Sequence, residues 1–255
     1  MPESINDCAR SVLPWAAFYA GIFAFSRLLS PKIFLHVHAL SESNRSYWAA
    51  SIVSTANALV LVPMASMACS EAGLLAVDAS FTVTTPLSTT CCHAMLGYIA
   101  WDTLPLLWYA RKWSGSGVYL LHHAGSLAGW GTAVMTGVGH NMALPMQLLE
   151  VTAPFTNLRW FLATAGMKNT KLYIANGVAM FLSFLAARII FILWLYVVRF
   201  GIQHDSFRKM PGWLQADAVI VFTLNLVLQF TWFSKISKAI RVLLIAPPKS
   251  SGKAL

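Results

Sequence analysis

An all-α, polytopic membrane protein of about seven transmembrane helices is the fold class that the sequence predicts, and composition, run length and charge placement predict it. Of 255 residues, 57% are hydrophobic and only 11% charged, against roughly 25% charged in soluble domains. A core of this size cannot hide that much apolar surface, so the surplus faces lipid. The apolar residues gather into runs long enough for a hydrocarbon layer of roughly 30 Å, and most charges fall between the runs.

Taken in order, spans are expected over Val12 to Leu29, Tyr47 to Cys69 and Cys91 to Ala110. The stretch from Trp113 to Leu149 has no Asp, Glu, Lys or Arg, yet as one helix it would be about 56 Å long. It must turn, and the flexible and polar residues Gly137, Gly139, His140 and Asn141 mark the place. That gives a fourth span from Val118 to Val138 and a fifth from Met142 to Leu158, interrupted only by Glu150. The sixth runs from Leu172 to Val198 and the seventh from Trp213 to Phe233. No cleavable signal peptide is expected, because no small-residue cleavage pattern follows the first apolar run. Three regions follow: residues 1–45 as an N-terminal transmembrane helix and loop, 46–237 as the main membrane domain, and 238–255 as a basic disordered tail.

Lys and Arg total 18 and Asp and Glu 9, a net charge of +9. The basic residues are spread over short loops and the tail, with no continuous stripe of the kind that binds nucleic acid. Lys32 and Arg45, Arg111 and Lys112, then Arg159, Lys168 and Lys171, and finally Lys235, Lys238, Arg241, Lys249 and Lys253 all fall on one side, which the positive-inside tendency assigns to the cytosol. Arg208 and Lys209 go against it. The cysteines Cys8, Cys69, Cys91 and Cys92 make no metal-ligand spacing, and no cofactor is expected. Cys69 and Cys91 lie near one membrane face, so a disulfide is open to them, with free buried thiols the preferred reading.

Polar groups inside spans are expensive and usually face the bundle interior. Here they are Asp102, the pair His122-His123, Glu150, Asn176, Arg188 and Asp217. Adjacent helical residues are about 100° apart. His122 therefore shares a face with Ser126 and Gly129, and His123 with Leu127 and Trp130, among small residues that let neighbouring helices approach. Counting about 1.5 Å per residue, Asp102, His122, His123, Glu150 and Asn176 lie within one layer on the cytosolic half, so one shared polar pocket is expected. Neutral imidazoles there can act as base or nucleophile. The same counting brings Arg188 and Asp217 to a similar depth in the opposite half, and an intramembrane ion pair between them is expected.

At these residues the sequence resembles the TLC domain family, which includes ceramide synthases, translocation-associated membrane proteins and small proteins of lipid homeostasis. The resemblance rests on Asp102 in Gly97-Tyr98-Ile99-Ala100-Trp101-Asp102, on His122 and His123 in Leu120-Leu121-His122-His123, and on the run from Glu150 to Phe161. It covers about Ser46 to Ser237 and is strongest to the small TLC domain-containing proteins. It implies a six-helix barrel-like core, open to the cytosol and laterally to lipid, with the first span outside. It also implies a catalytic role for His122 and His123 in any synthase-like member. A later His-Asp pair of the synthases reads Leu149-Glu150 here, keeping the acid and lacking the imidazole.

The expected function is lipid homeostasis in the endoplasmic reticulum or a related endomembrane, by binding, moving or modulating a membrane lipid. Asp102, His122, His123 and Glu150 are the candidate catalytic residues, and Ser126, Trp130 and Asn176 the candidate lipid-binding ones. The alternative is an N-acyltransferase joining an acyl-CoA to a long-chain amine. A structural or translocation-associated role is a third reading. No ring-forming filter motif points to a channel.

Overall fold

A computed structural model describes residues 4–245, all of whose regular elements are helical. Ser4 opens α1 (Ile5–Ile33), its Oγ accepting from the Asp7 amide, as an N-cap hydroxyl does for otherwise orphaned helical N–H groups. A short α2 (Leu35–His38) leads to α3 (Glu42–Glu71), capped by Ser41. Thr85 and Ser88 form a capping box at the start of α4 (Pro86–Trp108), where Pro86 occupies a first-turn position that needs no N–H. The chain then runs through α5 (Ser116–Thr136) and α6 (His140–Gln147). Between them Gly137 and Gly139 adopt φ of +65° and +83°, the left-handed conformation that glycine enters without steric cost. The turn thus falls where the glycines predicted it.

Beyond α6 the chain tightens into a 3₁₀ segment (Leu148–Thr152) before α7 (Ala153–Thr164). After a short loop, α8 (Lys171–Ser183) continues without a break through a π segment (Phe184–Phe191), α9 (Ile192–Tyr196) and a second π segment (Val197–Ile202). A short α10 (His204–Arg208) precedes α11 (Gly212–Ile245). Residues 238–245, expected within the tail, are helical, and 246–255 lie outside the described residues. Among the described residues, four helices are long and apolar enough to cross a membrane: Ile5–Ile33, Glu42–Glu71, Lys171–Ile202 and Gly212–Arg241.

Helix α3 packs on α4, α4 on α5, α5 on α11, α11 on α8 and the first π segment, α8 on α7, and α7 on α3. Helix α1 packs mainly on α3 and α4, and α6 mainly on α3 and α4. One apolar cluster gathers Tyr19, Leu61, Cys91, Cys92, Trp101 and Trp130; a second gathers Met142, Leu149, Ile192, Leu195 and Phe222. The four cysteines are free thiols.

The two ends of the bundle are tied differently. At the end carrying most basic loops, Tyr109 donates to Glu42 (2.6 Å), the Trp113 indole donates to the Ser43 carbonyl, and Tyr47 packs edge-on against Trp113 and Trp160. At the far end, fully buried Arg199 donates to the carbonyls of Leu74, Ala76 and Asn141 and to Gln203 Oε1. Proline chemistry explains one of these acceptors. Pro145 lacks the N–H that would bond Asn141 four residues back, and the Arg199 guanidinium approaches that carbonyl instead (3.1 Å).

Candidate functional site

A cavity of about 390 Å³ opens among α3, α4, α5, α7, α11 and the first π segment toward the basic end. Asp102, His122, His123, Glu150 and Arg188 line it, with Tyr47, Tyr98, Tyr119, Asn157, Trp232 and Lys235. Four expected site residues from three stretches of chain therefore share one cavity. Asn176 is not among its lining residues: its amide donates to the Phe155 carbonyl (2.9 Å) and ties α8 to α7.

The two histidines have different surroundings. Thr103 donates its only hydroxyl proton to the Ile99 carbonyl (2.6 Å), so toward His123 Nδ1, 2.9 Å away, its oxygen acts as acceptor. With Nδ1 as the donor, Nε2 is the nitrogen that can take up a proton, and Asp102 Oδ2, 3.6 Å away, stands where it would stabilise the imidazolium so formed. Asp102 is also approached by the Tyr98 hydroxyl, one turn earlier on α4 (3.5 Å). His122 lies edge-on to the Trp232 indole (5.4 Å between ring centres), which in turn stacks with Tyr119. Among the described residues the His122 nitrogens bond no protein group, so they remain open to an occupant of the cavity.

Glu150 owes its setting to Pro154. A proline four residues on cannot donate to the Glu150 carbonyl; the Ala153 amide takes that acceptor and tightens the turn to 3₁₀ geometry. The Leu149 carbonyl is thereby free to accept from Thr152 Oγ1 and from Arg188 Nε. Arg188 also donates to Thr152 Oγ1 (2.6 Å) and Gln229 Oε1, and its Nη2 lies 3.0 Å from Glu150 Oε1. The expected Arg188–Asp217 ion pair is thus replaced by Arg188–Glu150. The reason is depth: the sixth helix continues to Ile202, past the expected end at Val198, so Arg188 sits nearer mid-helix. It meets α11 at Gln229, 12 residues and about 18 Å beyond Asp217.

A second cavity of about 120 Å³ lies toward the far end. Ser126, Trp130 and Asp217 line this one, with Met95, Met142, Met146 and Phe222. The residues expected to bind lipid are therefore divided: Ser126 and Trp130 in the far cavity, Asn176 in neither. His122, Glu150 and Arg188 line both.

Residues 47–238, well over half of the chain, match the TLC domain. The chain belongs to the TLC domain family. Among curated relatives it is 31% identical to TLC domain-containing protein 4-B of Danio rerio over 56% of this chain and 54% of the relative. It is 26% identical to TLC domain-containing protein 1 of Gallus gallus over 56% of this chain and 57% of that one. These two alignments span little more than half the length of each relative. TLC domain-containing protein 4 of Homo sapiens is 25% identical over 87% of this chain and 82% of its own.

Within this TLC domain, sequence reasoning missed Tyr98 and Asn157, which line the basic-end cavity, and Thr103 and Gln229, which hold His123 and Arg188 beside it. Thr103 carries a weak signal, lying beside Asp102, and Tyr98 lies one turn before it. Gln229 and Asn157 resemble ordinary helix polar residues; Asn157 donates to the Ser51 carbonyl and Thr55 Oγ1, tying α7 to α3.

Proposed function

We propose that this TLC domain protein binds, moves or modulates a membrane lipid from the basic-end cavity. Seven crossings are assigned, counting α6 to α7 as one and α8 to Ile202 as another, with the basic end in the cytosol and the endoplasmic reticulum or a related endomembrane as the location. The closed circuit of contacts among α3, α4, α5, α11, α8 and α7, with α1 outside it, supports a six-helix barrel. The observation that carries the reading is the convergence of His122, His123, Asp102, Glu150 and Arg188 on one cavity bounded by membrane-length helices. Polar groups at such depth usually serve a ligand or one another. His122 has an unspent pair of nitrogens, and Lys235 with Trp232 supplies a cation and an aromatic face for a polar headgroup. The test is a lipidomic comparison of cells with and without the protein: the expected result is a change in a defined lipid class, and no change in any class overturns the reading.

The His123–Asp102 arrangement favours a second reading, transfer of an acyl group to a long-chain amine. The amine nitrogen would attack the thioester carbonyl of an acyl-CoA, forming the amide C–N bond as the C–S bond breaks. His123 Nε2 would accept the amine proton and the departing thiolate would receive it. Purified protein supplied with acyl-CoAs and a panel of long-chain amines is expected to form amide on this reading; absence of any product rejects it.

A further inference from the structure

Beyond the lipid reading, and independently of it, we infer that the seam between α5 and α11 is an aqueous vestibule that admits water and small monovalent cations from the far face as far as His122. Two contacts fix the register of these helices: a Cβ on Gly129 would lie 2.9 Å from Val221 Cγ1, and one on Gly125 would lie 3.0 Å from Leu224 Cδ2. The helices are therefore antiparallel here. Counting outward from those contacts sets Thr132 near the level of Asp217, Ser126 near Asn225 and His122 near Gln229. All six line the far cavity. Polar groups thus face one another at three levels between Asp217 and Gln229, about 18 Å of helix. Val221 against Gly129 is the apolar constriction between the Asp217 level and the Asn225 level.

The outer groups of this track are unspent. Thr136, one turn beyond Thr132 on α5, donates to the Thr132 carbonyl, as helical hydroxyls commonly do. Among the described residues the Ser126 and Thr132 hydroxyls make no such bond, and they face the cavity instead. Asp217, half-buried one turn inside the exposed Trp213, likewise has no hydrogen bond and no ion pair among the described residues. Glu150 and Arg188, the other charged residues of this cavity, neutralise each other at 3.0 Å. Asp217 therefore sets the sign of the field at the mouth and concentrates cations there. Size decides what enters. The cavity's volume of about 120 Å³ is well below the roughly 300–1,000 Å³ of a pocket for a drug-sized ligand, yet it holds several waters at about 10–15 Å³ each. The Arg199 node, which closes the far end to a lipid, joins the carbonyls of Leu74, Ala76 and Asn141 to Gln203. Neither α5 nor α11 takes part in it, so the seam lies outside that closure.

The test uses the full chain in lipid nanodiscs carrying S126C or T132C. Each is exposed to aminoethyl methanethiosulfonate, a cation, or to the sulfonatoethyl analogue, an anion, and modification at that position is read by peptide mass spectrometry. Rates are divided by those of a free thiol in water, which removes the reagents' intrinsic difference. The expected result is that the cation modifies both positions on the order of tenfold faster than the anion, and that D217N brings the two rates together. V221F, which fills the constriction, is expected to protect S126C and to leave T132C, on the mouth side, reactive; V221A is expected to speed modification of S126C. An unreactive S126C, or a cation preference that D217N leaves unchanged, overturns the vestibule. S126C modified at its native rate in V221F overturns it too, because the reagent then arrives from the basic end. Where V221F does not fold, no gain in rate with V221A overturns it equally.

Discussion

At the scale of single residues, the site depends on which atoms already have partners. Thr103 spends its proton on Ile99 and presents an oxygen to His123 Nδ1, so Nε2, 3.6 Å from Asp102 Oδ2, is the nitrogen left to take up a proton. Thr103→Val removes that acceptor and leaves the imidazole free to turn. The expected outcome is loss of lipid binding with a stability loss of only about 1 kcal/mol, while Thr103→Ser retains binding; lipid retained by purified protein and thermal unfolding read the two effects separately. The Arg188–Glu150 pair behaves in the opposite sense. Arg188→Met strands a largely buried carboxylate and is expected to cost on the order of 3–5 kcal/mol. Glu150→Gln added to it is expected to recover much of that loss, because the remaining group is neutral. Equal unfolding temperatures for the single and double variants would show that the pair carries no coupling.

At the scale of elements, prolines and close-packed glycines decide what the helices offer. Pro145 and Pro154 withhold N–H groups from Asn141 and Glu150, and the surrounding carbonyls are satisfied by Arg199 and Arg188, both in π segments of the sixth long helix. Gly97 marks a close approach of α1 to α4: a Cβ there would lie 2.7 Å from Trp15 Cβ and 2.8 Å from the Val12 carbonyl oxygen. Neither neighbour is a flexible side-chain end. Gly97→Val is therefore expected to cost about 1–3 kcal/mol and to expose α1 to added protease, whereas Gly117→Val, where no atom lies within 4 Å, leaves α1 protected. These elements also show what the sequence could disclose. Run length, glycine placement and depth counting sufficed for the α5–α6 turn and for the layer holding Asp102, His122, His123 and Glu150, because nearby charged or glycine-marked ends fix those positions. Depth counting brings Arg188 to Asp217 and not to its partner Glu150, because it runs along a helix whose far end carries no charge before Arg199, itself buried in the bundle. Asn176 shares the depth of its supposed neighbours but not their direction, and depth alone holds no azimuth.

At the scale of the whole molecule, the two ends have different chemistry. Aromatic and hydroxyl contacts line the basic end, while the far end is closed by the Arg199 node and by the Gly139 amide bonded to the Phe81 carbonyl. A lipid entering the basic-end cavity is accordingly expected to do so from the basic end or sideways between helices, with its headgroup at His122 and Lys235. Arg199→Met leaves several carbonyls without their donor and is expected to lower stability by on the order of 3 kcal/mol while sparing the basic-end cavity; thermal unfolding together with retained lipid checks both parts. The most direct measurement of the central claim is the lipid carried by protein extracted in native membrane discs, compared by mass spectrometry with the surrounding membrane for the native chain and for H122A/H123A at matched abundance. The expected result is enrichment of one lipid class with the native chain and loss of that enrichment with the double variant; discs of both proteins matching the surrounding membrane, or equal enrichment in both, would contradict it.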